Sequence, residues 1–230
     1  MKVQVLSRAP YLKSKYSCSN GSHSQDMKCY LCNSTENLTK DHVPPKRFFP
    51  SPRPSNLITV PCCSKCNAAY SKDDEAIRAW FSTLLGRSAA GDWIFENKVV
   101  RGIAARSPQF REAILASIQE VKLRTENGIV DAARIKIPWN RAERFLVRCV
   151  KGLITYHYPS YDYSSDHFEV CHVPSNNEAL DKIAPLRDYL LYEELGVGVF
   201  QYRRGITDTS MSGVWILVFL PCNYLCGFSQ

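Results

Sequence analysis

No apolar run in the 230 residues approaches the ~20 that a membrane-spanning helix requires, and the opening Met-Lys-Val-Gln-Val-Leu-Ser-Arg is too short a run for a secretory signal. The expectation is therefore a cytoplasmic protein that makes no use of a membrane. No internal repeat and no heptad pattern is present, which argues against solenoids and long coiled coils. Histidine is scarce, five in all, and His157, His167 and His172 share no metal-ligand spacing with any carboxylate, so they read as structural or surface residues. Acidic residues are the minority charge: 22 Asp and Glu against 29 Lys and Arg leave a net +7, a balance that favours a polyanion partner. Core-forming residues are not lacking, at 45% hydrophobic and 11% aromatic, so a disordered chain is excluded.

Ten cysteines are the unusual abundance. A chain of this length with a helical core has no need of disulfide staples, and four of the ten have another pattern. Cys29-Tyr-Leu-Cys32 and Cys63-Ser-Lys-Cys66 are two Cys-x-x-Cys knuckles that can place four thiolates around one tetrahedral zinc. Cys62 adjoins Cys63, and the spacing to Cys66 selects Cys63. Cys18 and His23 are ligand types near the first knuckle, but four better-spaced cysteines make them unnecessary. Cys222 and Cys226 have no second pair and read as buried thiols. Between the knuckles stands Asp41-His42, which a simple zinc ribbon does not require, and Asn67 follows the last cysteine at the start of a helix. Asn67 alone reads as an N-terminal cap; beside Cys66 and opposite an Asp-His strand, the ligand reading prevails. A metal-held hairpin and helix would bring Asp41, His42 and Asn67 together.

The order Cys-x-x-Cys, Asp-His-Val-Pro-Pro, a mid-loop Asn, and Cys-x-x-Cys-Asn resembles the zinc-bearing HNH endonucleases, the ββα-metal nucleases, over residues 29 to about 81. The resemblance implies His42 as general base, Asp41 and Asn67 as ligands of a catalytic divalent ion, and Asn56 as the brace of the loop that carries the histidine. Asn stands in the third place, where many members have His. The resemblance implies a ββα-metal zinc module, placed at 28–86; the residues on either side read as a mobile arm at 1–27 and an α+β region at 87–230 ending in an antiparallel strand pair, so the expected fold class is α+β.

Taken in order, Leu38 to Val43 reads as the first strand. Pro44, Pro45, Pro50, Pro52 and Pro54 make 44–55 a stiff, exposed loop, on which Lys46, Arg47 and Arg53 are candidate phosphate contacts. Asn56 to Val60 reads as the second strand. A helix from near Lys65 carries the stripe Ala76, Ile77, Trp80, Phe81, Leu84 and Leu85. Lys72, Asp73, Asp74 and Glu75 read as a solvated face, with Lys72 able to reach a phosphate. Further helices are expected over 107–123, introduced by Ser107-Pro108, and 140–155, introduced by a capping box of Asn140 and Glu143. Ala133 to Ile137 alternates like a strand. On the 140–155 helix, Arg141, Arg144, Arg148 and Lys151 form either a solvated basic face or a stripe gripping a nucleic-acid backbone. Pro159 ends any helix near Tyr156. A helix over 177–194 and strands at 198–203 and 213–220 complete the reading.

The chemistry fits the residue types. A neutral imidazole of ordinary pKa ~6.5 can take a proton from water near pH 7. Hard oxygen ligands, the Asp41 carboxylate and the Asn67 amide, suit Mg²⁺ or Mn²⁺, while the soft thiolates keep zinc. The expected activity is hydrolysis of phosphodiester bonds, with DNA the first expectation as substrate. A catalytically silent zinc-ribbon nucleic-acid binder is the alternative. Residues 87–230 are left to base reading, a homodimer contact or a protein partner.

Overall fold

Two strands, β1 (Leu38–Val43) and β2 (Ile58–Cys63), pair antiparallel with Leu38 opposite Cys63, Asp41 opposite Val60 and His42 opposite Thr59. The structure, a computed structural model, describes residues 27–83, 88–126, 128–172, 189–206, 213–220 and 222–229. The arm expected before residue 27 lies almost wholly outside these. β2 begins two residues later than the 56–60 reading and runs on to Cys63, since Ile58, Val60 and Cys62 all turn to the core. Asn56 is left in the preceding turn, exposed.

The proline-rich segment stays out of the ladder as expected, but it is not wholly exposed. Its 3₁₀ turn, Lys46–Phe48, drives two aromatics inward, with Phe48 at 0% and Phe49 at 1% exposure. The prolines restrict the backbone without preventing large rings from leaving water, and Phe48 lies 5.5 Å from the Phe145 ring and 5.7 Å from that of Phe219.

Helix α1 (Ser64–Thr83) follows β2 without a loop and buries Ala76, Ile77, Trp80 and Phe81 of the expected stripe, while Leu84 and Leu85 lie outside the described residues. A short α2 (Ala89–Ile94), capped by the Ser88 hydroxyl, runs into a π-helical stretch at Phe95–Ala104. The helix expected over 107–123 is shorter than its periodicity suggests. α3 (Pro108–Ala116), capped by Ser107 as foreseen, stops, and β3 (Ile118–Thr125) pairs with β4 (Gly128–Ile135) in a separate hairpin. The missed signal is Gly128, which opens β4 opposite Thr125 and takes φ 112°, a conformation glycine adopts readily. β4 accordingly starts before the alternating Ala133 to Ile137.

α4 (Trp139–His157) is longer than the 140–155 reading at both ends. Its capping position falls on Pro138, with no side-chain cap, so the Asn140–Glu143 capping box does not form. Pro159 lies just beyond its end, as expected. A five-stranded antiparallel sheet completes the fold, in the order β5 (His167–His172), β9 (Cys222–Ser229), β8 (Gly213–Phe219), β7 (Phe200–Ile206), β6 (Leu191–Leu195). The anticipated antiparallel pair near 198–203 and 213–220 is β7 with β8. Leu191–Leu195 is strand rather than the end of a helix, because it hairpins directly onto β7, Leu195 opposite Phe200. The rest of that expected helix lies outside the described residues. Cys222 and Cys226 fall on β9, and the burial of their thiols lies outside the described side chains.

The chain is therefore α+β with antiparallel sheets. One apolar cluster joins Tyr30, Phe48, Phe81, Phe145 and Phe219, so the hairpin and α1 share their core with α4 and the five-stranded sheet. Among the described residues no helix is long and apolar enough to cross a membrane.

Candidate functional site

The first knuckle is a tight turn in which the Asn33 amide donates to the Cys29 carbonyl at 2.9 Å and Asn33 takes φ 59°. The amide of Tyr30 donates to the Pro61 carbonyl at 3.0 Å, fastening the knuckle to β2. The second knuckle spans the junction of β2 and α1, where the Cys66 amide points at Cys63 Sγ, 3.4 Å away. These local folds bring the sulfurs of Cys29, Cys32, Cys63 and Cys66 within 4.8 Å of one another. A tetrahedral zinc with ~2.3 Å bonds to sulfur sets its ligands roughly 3.8 Å apart, and the Cys32 and Cys63 sulfurs lie at 3.7 Å. Four close cysteines that can hold a metal such as zinc are thus present.

Burial works against ionising Cys29, but backbone hydrogen bonds from Cys63, Leu31 and Cys32 outweigh it and lower its thiol to about 6. Cys62 differs: burial and the neighbouring Cys29 push its thiol far up, and it donates to the Cys63 carbonyl. Although the Cys29 and Cys62 sulfurs are 4.0 Å apart, Cys62 behaves as an apolar filler at 0% exposure.

Asn67 is tied to the side of the hairpin that carries Asp41. Asn67, in the first turns of α1, donates from Nδ2 to Thr39 Oγ1 at 3.3 Å, and Thr39 precedes Asp41 by two on β1, so the two share a face. Asp41 is 7% exposed and accepts a hydrogen bond from the Tyr30 hydroxyl at 2.8 Å. Burial and Asp41 hold the Tyr30 phenol well above its ordinary value, so it remains a donor. His42 is not brought to the same place: strand alternation turns it to the opposite face, half-buried beside Lys46 and Arg53. Burial, then Lys46, lowers its pKa below 6.5, and the imidazole is neutral at pH 7.

Lys46, Arg47, Arg53 and Lys72 are exposed. Arg53 Nε donates to the Lys46 carbonyl at 3.2 Å, bracing the turn. Asn56, expected to brace the His42 loop, makes no side-chain hydrogen bond among the described residues.

Of the four cations on the basic face of α4 only Arg144 is exposed, and the three arginines are held in ion pairs rather than free to grip a backbone. Arg141 and Arg144 both pair with Asp73, at 2.7 and 3.0 Å, and Arg148, 4% exposed, pairs with Asp74 and lies over the Tyr70 ring. Lys151 sits over the rings of Tyr163 and Phe168. The acidic run of α1, read as solvated, is therefore the counter-surface of α4. Arg148 and Asp74 lie 74 residues apart in sequence, and no local pattern announces their pairing.

The chain matches no protein-family model, no curated protein and no solved structure.

A second polar cluster, also unannounced, lies between α4 and the large sheet. His157 Nε2 meets the Tyr202 hydroxyl at 2.8 Å, that hydroxyl donates to Glu193 at 2.7 Å, and Arg204 spans Glu193 and the Tyr158 hydroxyl. Every member has a partner. Burial, then Arg204, lowers His157 to about 4, against the pull of Glu193, so it is a neutral core histidine, as its sequence context suggested.

Proposed function

We propose that the chain is a metal-dependent endonuclease of the HNH type, hydrolysing phosphodiester bonds in nucleic acid, DNA first, with zinc on the four cysteines as its structural metal. The observation that carries this reading is the hydrogen bond of Asn67 to Thr39, which shares a strand face with Asp41, with a neutral His42 next to Asp41 in sequence. A zinc ribbon that only binds has no use for that arrangement.

The residues fit a hard divalent ion. Asn67 uses its amide nitrogen on Thr39, which leaves the amide oxygen as the ligand atom, and Asp41 engages Tyr30 through Oδ2 alone. Mg²⁺ or Mn²⁺ held there would supply positive charge against the developing phosphorane and the leaving oxygen. The protein's own part is proton transfer and positioning. His42, already deprotonated at pH 7, accepts the proton of the attacking water. Lys46 and Arg53, which keep it so, also present positive charge to a backbone phosphate, and Arg47 and Lys72 extend that surface. Among the described residues β1 pairs only with β2, so a strand of nucleic acid laid along its other edge can meet His42 and the Asp41 side in succession.

Incubation of the protein with plasmid, single-stranded DNA and RNA, each with Mg²⁺, Mn²⁺ or chelator, tests the reading. Metal-dependent cutting that His42→Ala abolishes is the expected result. Binding without cutting returns the silent zinc-ribbon alternative.

A further inference from the structure

A Cys-x-x-Cys knuckle needs only two spacers between its cysteines, yet Tyr30, between Cys29 and Cys32, is 5% exposed and belongs to the main apolar cluster. Its backbone is held on both sides. The amide donates to the Pro61 carbonyl at 3.0 Å, and the carbonyl accepts from the Tyr163 hydroxyl at 2.6 Å. That hydroxyl also shares a hydrogen bond with Thr155 Oγ1 on α4 at 2.8 Å. The residue is thereby fixed from β2 and from α4. A phenylalanine would fill the same space; what the tyrosine adds is a hydroxyl, and that hydroxyl donates to Asp41 Oδ2 at 2.8 Å.

A buried phenol needs one hydrogen-bond acceptor, and a backbone carbonyl is enough to supply it, whereas placing a carboxylate at 7% exposure is far more costly. The need of Tyr30 for a partner does not account for Asp41. The reverse relation does account for Tyr30. A carboxylate that binds a metal works best with its plane fixed, and a rigid donor on one of its oxygens fixes that plane. Tyr30 engages Oδ2, and no other side chain among the described residues hydrogen-bonds this carboxylate, which leaves Oδ1 as the ligand atom.

We infer that Tyr30 is a positioning residue for the divalent ion: its hydroxyl, carried by the first zinc knuckle and braced by Tyr163, holds the Asp41 carboxylate in the orientation that binds the metal. The inference rests on the proposed role of Asp41 as a ligand. It gives the first knuckle its own link to the ion site, as the second has through Asn67.

The test reads Mn²⁺ binding rather than cleavage, from the electron paramagnetic resonance of free Mn²⁺ titrated into the full-length zinc-loaded protein. The thiolates keep zinc, so Mn²⁺ reports on the oxygen site. Wild type should bind a single Mn²⁺, and Asp41→Asn should lose it. Tyr30→Phe keeps the ring and all four cysteines, so it should retain its zinc, yet bind Mn²⁺ about tenfold more weakly than wild type. Tyr163→Phe frees the Tyr30 backbone without touching Asp41 and should weaken Mn²⁺ by a smaller factor; it decides the matter if Tyr30→Phe does not fold. A purely structural tyrosine predicts a lower Tm with the Mn²⁺ affinity of wild type. That result in Tyr30→Phe, or in Tyr163→Phe where it alone folds, overturns the inference and leaves Asp41 as a ligand so long as Asp41→Asn loses the ion. No Mn²⁺ site in wild type, or undiminished binding in Asp41→Asn, overturns the ligand reading of Asp41 and the inference with it.

Discussion

The side-chain amide of Asn67 donates to the hydroxyl of Thr39 across 3.3 Å, and so ties the start of α1 to the face of β1 that carries Asp41. This contact depends on the second knuckle, since Cys66 and Asn67 are neighbours at the β2–α1 junction. Metal removal should therefore be felt at the proposed active site as well as in the hairpin.

One equivalent of zinc is expected on Cys29, Cys32, Cys63 and Cys66. Elemental analysis of purified protein checks this: Cys63→Ser should lose the metal and unfold the hairpin, whereas Cys62→Ser should keep full zinc, because Cys62 already donates to a carbonyl and lies outside the four. Full zinc in Cys63→Ser contradicts the assignment.

The α1–α4 interface should respond unequally to removal of its two aspartates. Asp74→Ala strands the buried Arg148 and should cost on the order of 3 kcal/mol. Asp73→Ala leaves the half-exposed Arg144 and the more accessible Arg141 and should cost at most about 1 kcal/mol. Urea unfolding of the two variants gives the comparison, and equal losses would show that burial of Arg148 does not govern the interface.

How much of this could be read beforehand followed the range of the interactions. The knuckles, β1 and the buried stripe of α1 were legible because each is set by residues within a few positions, where spacing and periodicity act directly. The β3–β4 hairpin is hidden because Ile118 and Val121 continue a helical period by coincidence, while the deciding signal is Gly128, which opens β4 opposite Thr125. The ion pairs of Arg141, Arg144 and Arg148 were read as a solvated or backbone-gripping face because their partners are remote in sequence. Tyr30, inside the first knuckle, passed for a spacer; only the fold places its hydroxyl on Asp41.

Acid should destabilise the protein through His157. Its folded pKa of about 4 lies below the ordinary 6.5, so between these values the unfolded chain takes up a proton that the folded protein refuses. The stability His157 allows is full above pH 6.5 and falls as pH drops toward 4, by an amount on the order of 2–3 kcal/mol. His157→Gln cannot titrate, so the difference between its unfolding free energy and that of wild type should change across this window and be constant above it. A difference independent of pH would show that His157 is not held neutral by the Tyr202, Glu193 and Arg204 surroundings.

The pH dependence of cleavage should report His42. Because burial and Lys46 lower its pKa, the acidic limb of kcat/KM should have its midpoint below 6.5. Lys46→Ala removes a positive neighbour and should move that midpoint to higher pH. A limb unmoved by Lys46→Ala would assign it to another group.

The measurement closest to the central claim is plasmid cleavage by wild type, His42→Ala and Asn67→Ala, with Mg²⁺, with excess Mn²⁺ and with chelator. Wild type should cut only with a divalent ion. His42→Ala should fold, bind DNA and keep its zinc, yet cut very slowly with either ion, and Asn67→Ala should lose activity with Mg²⁺ and regain part of it with excess Mn²⁺. Cleavage by His42→Ala at the wild-type rate, or no cleavage of any substrate by wild type, would contradict the account.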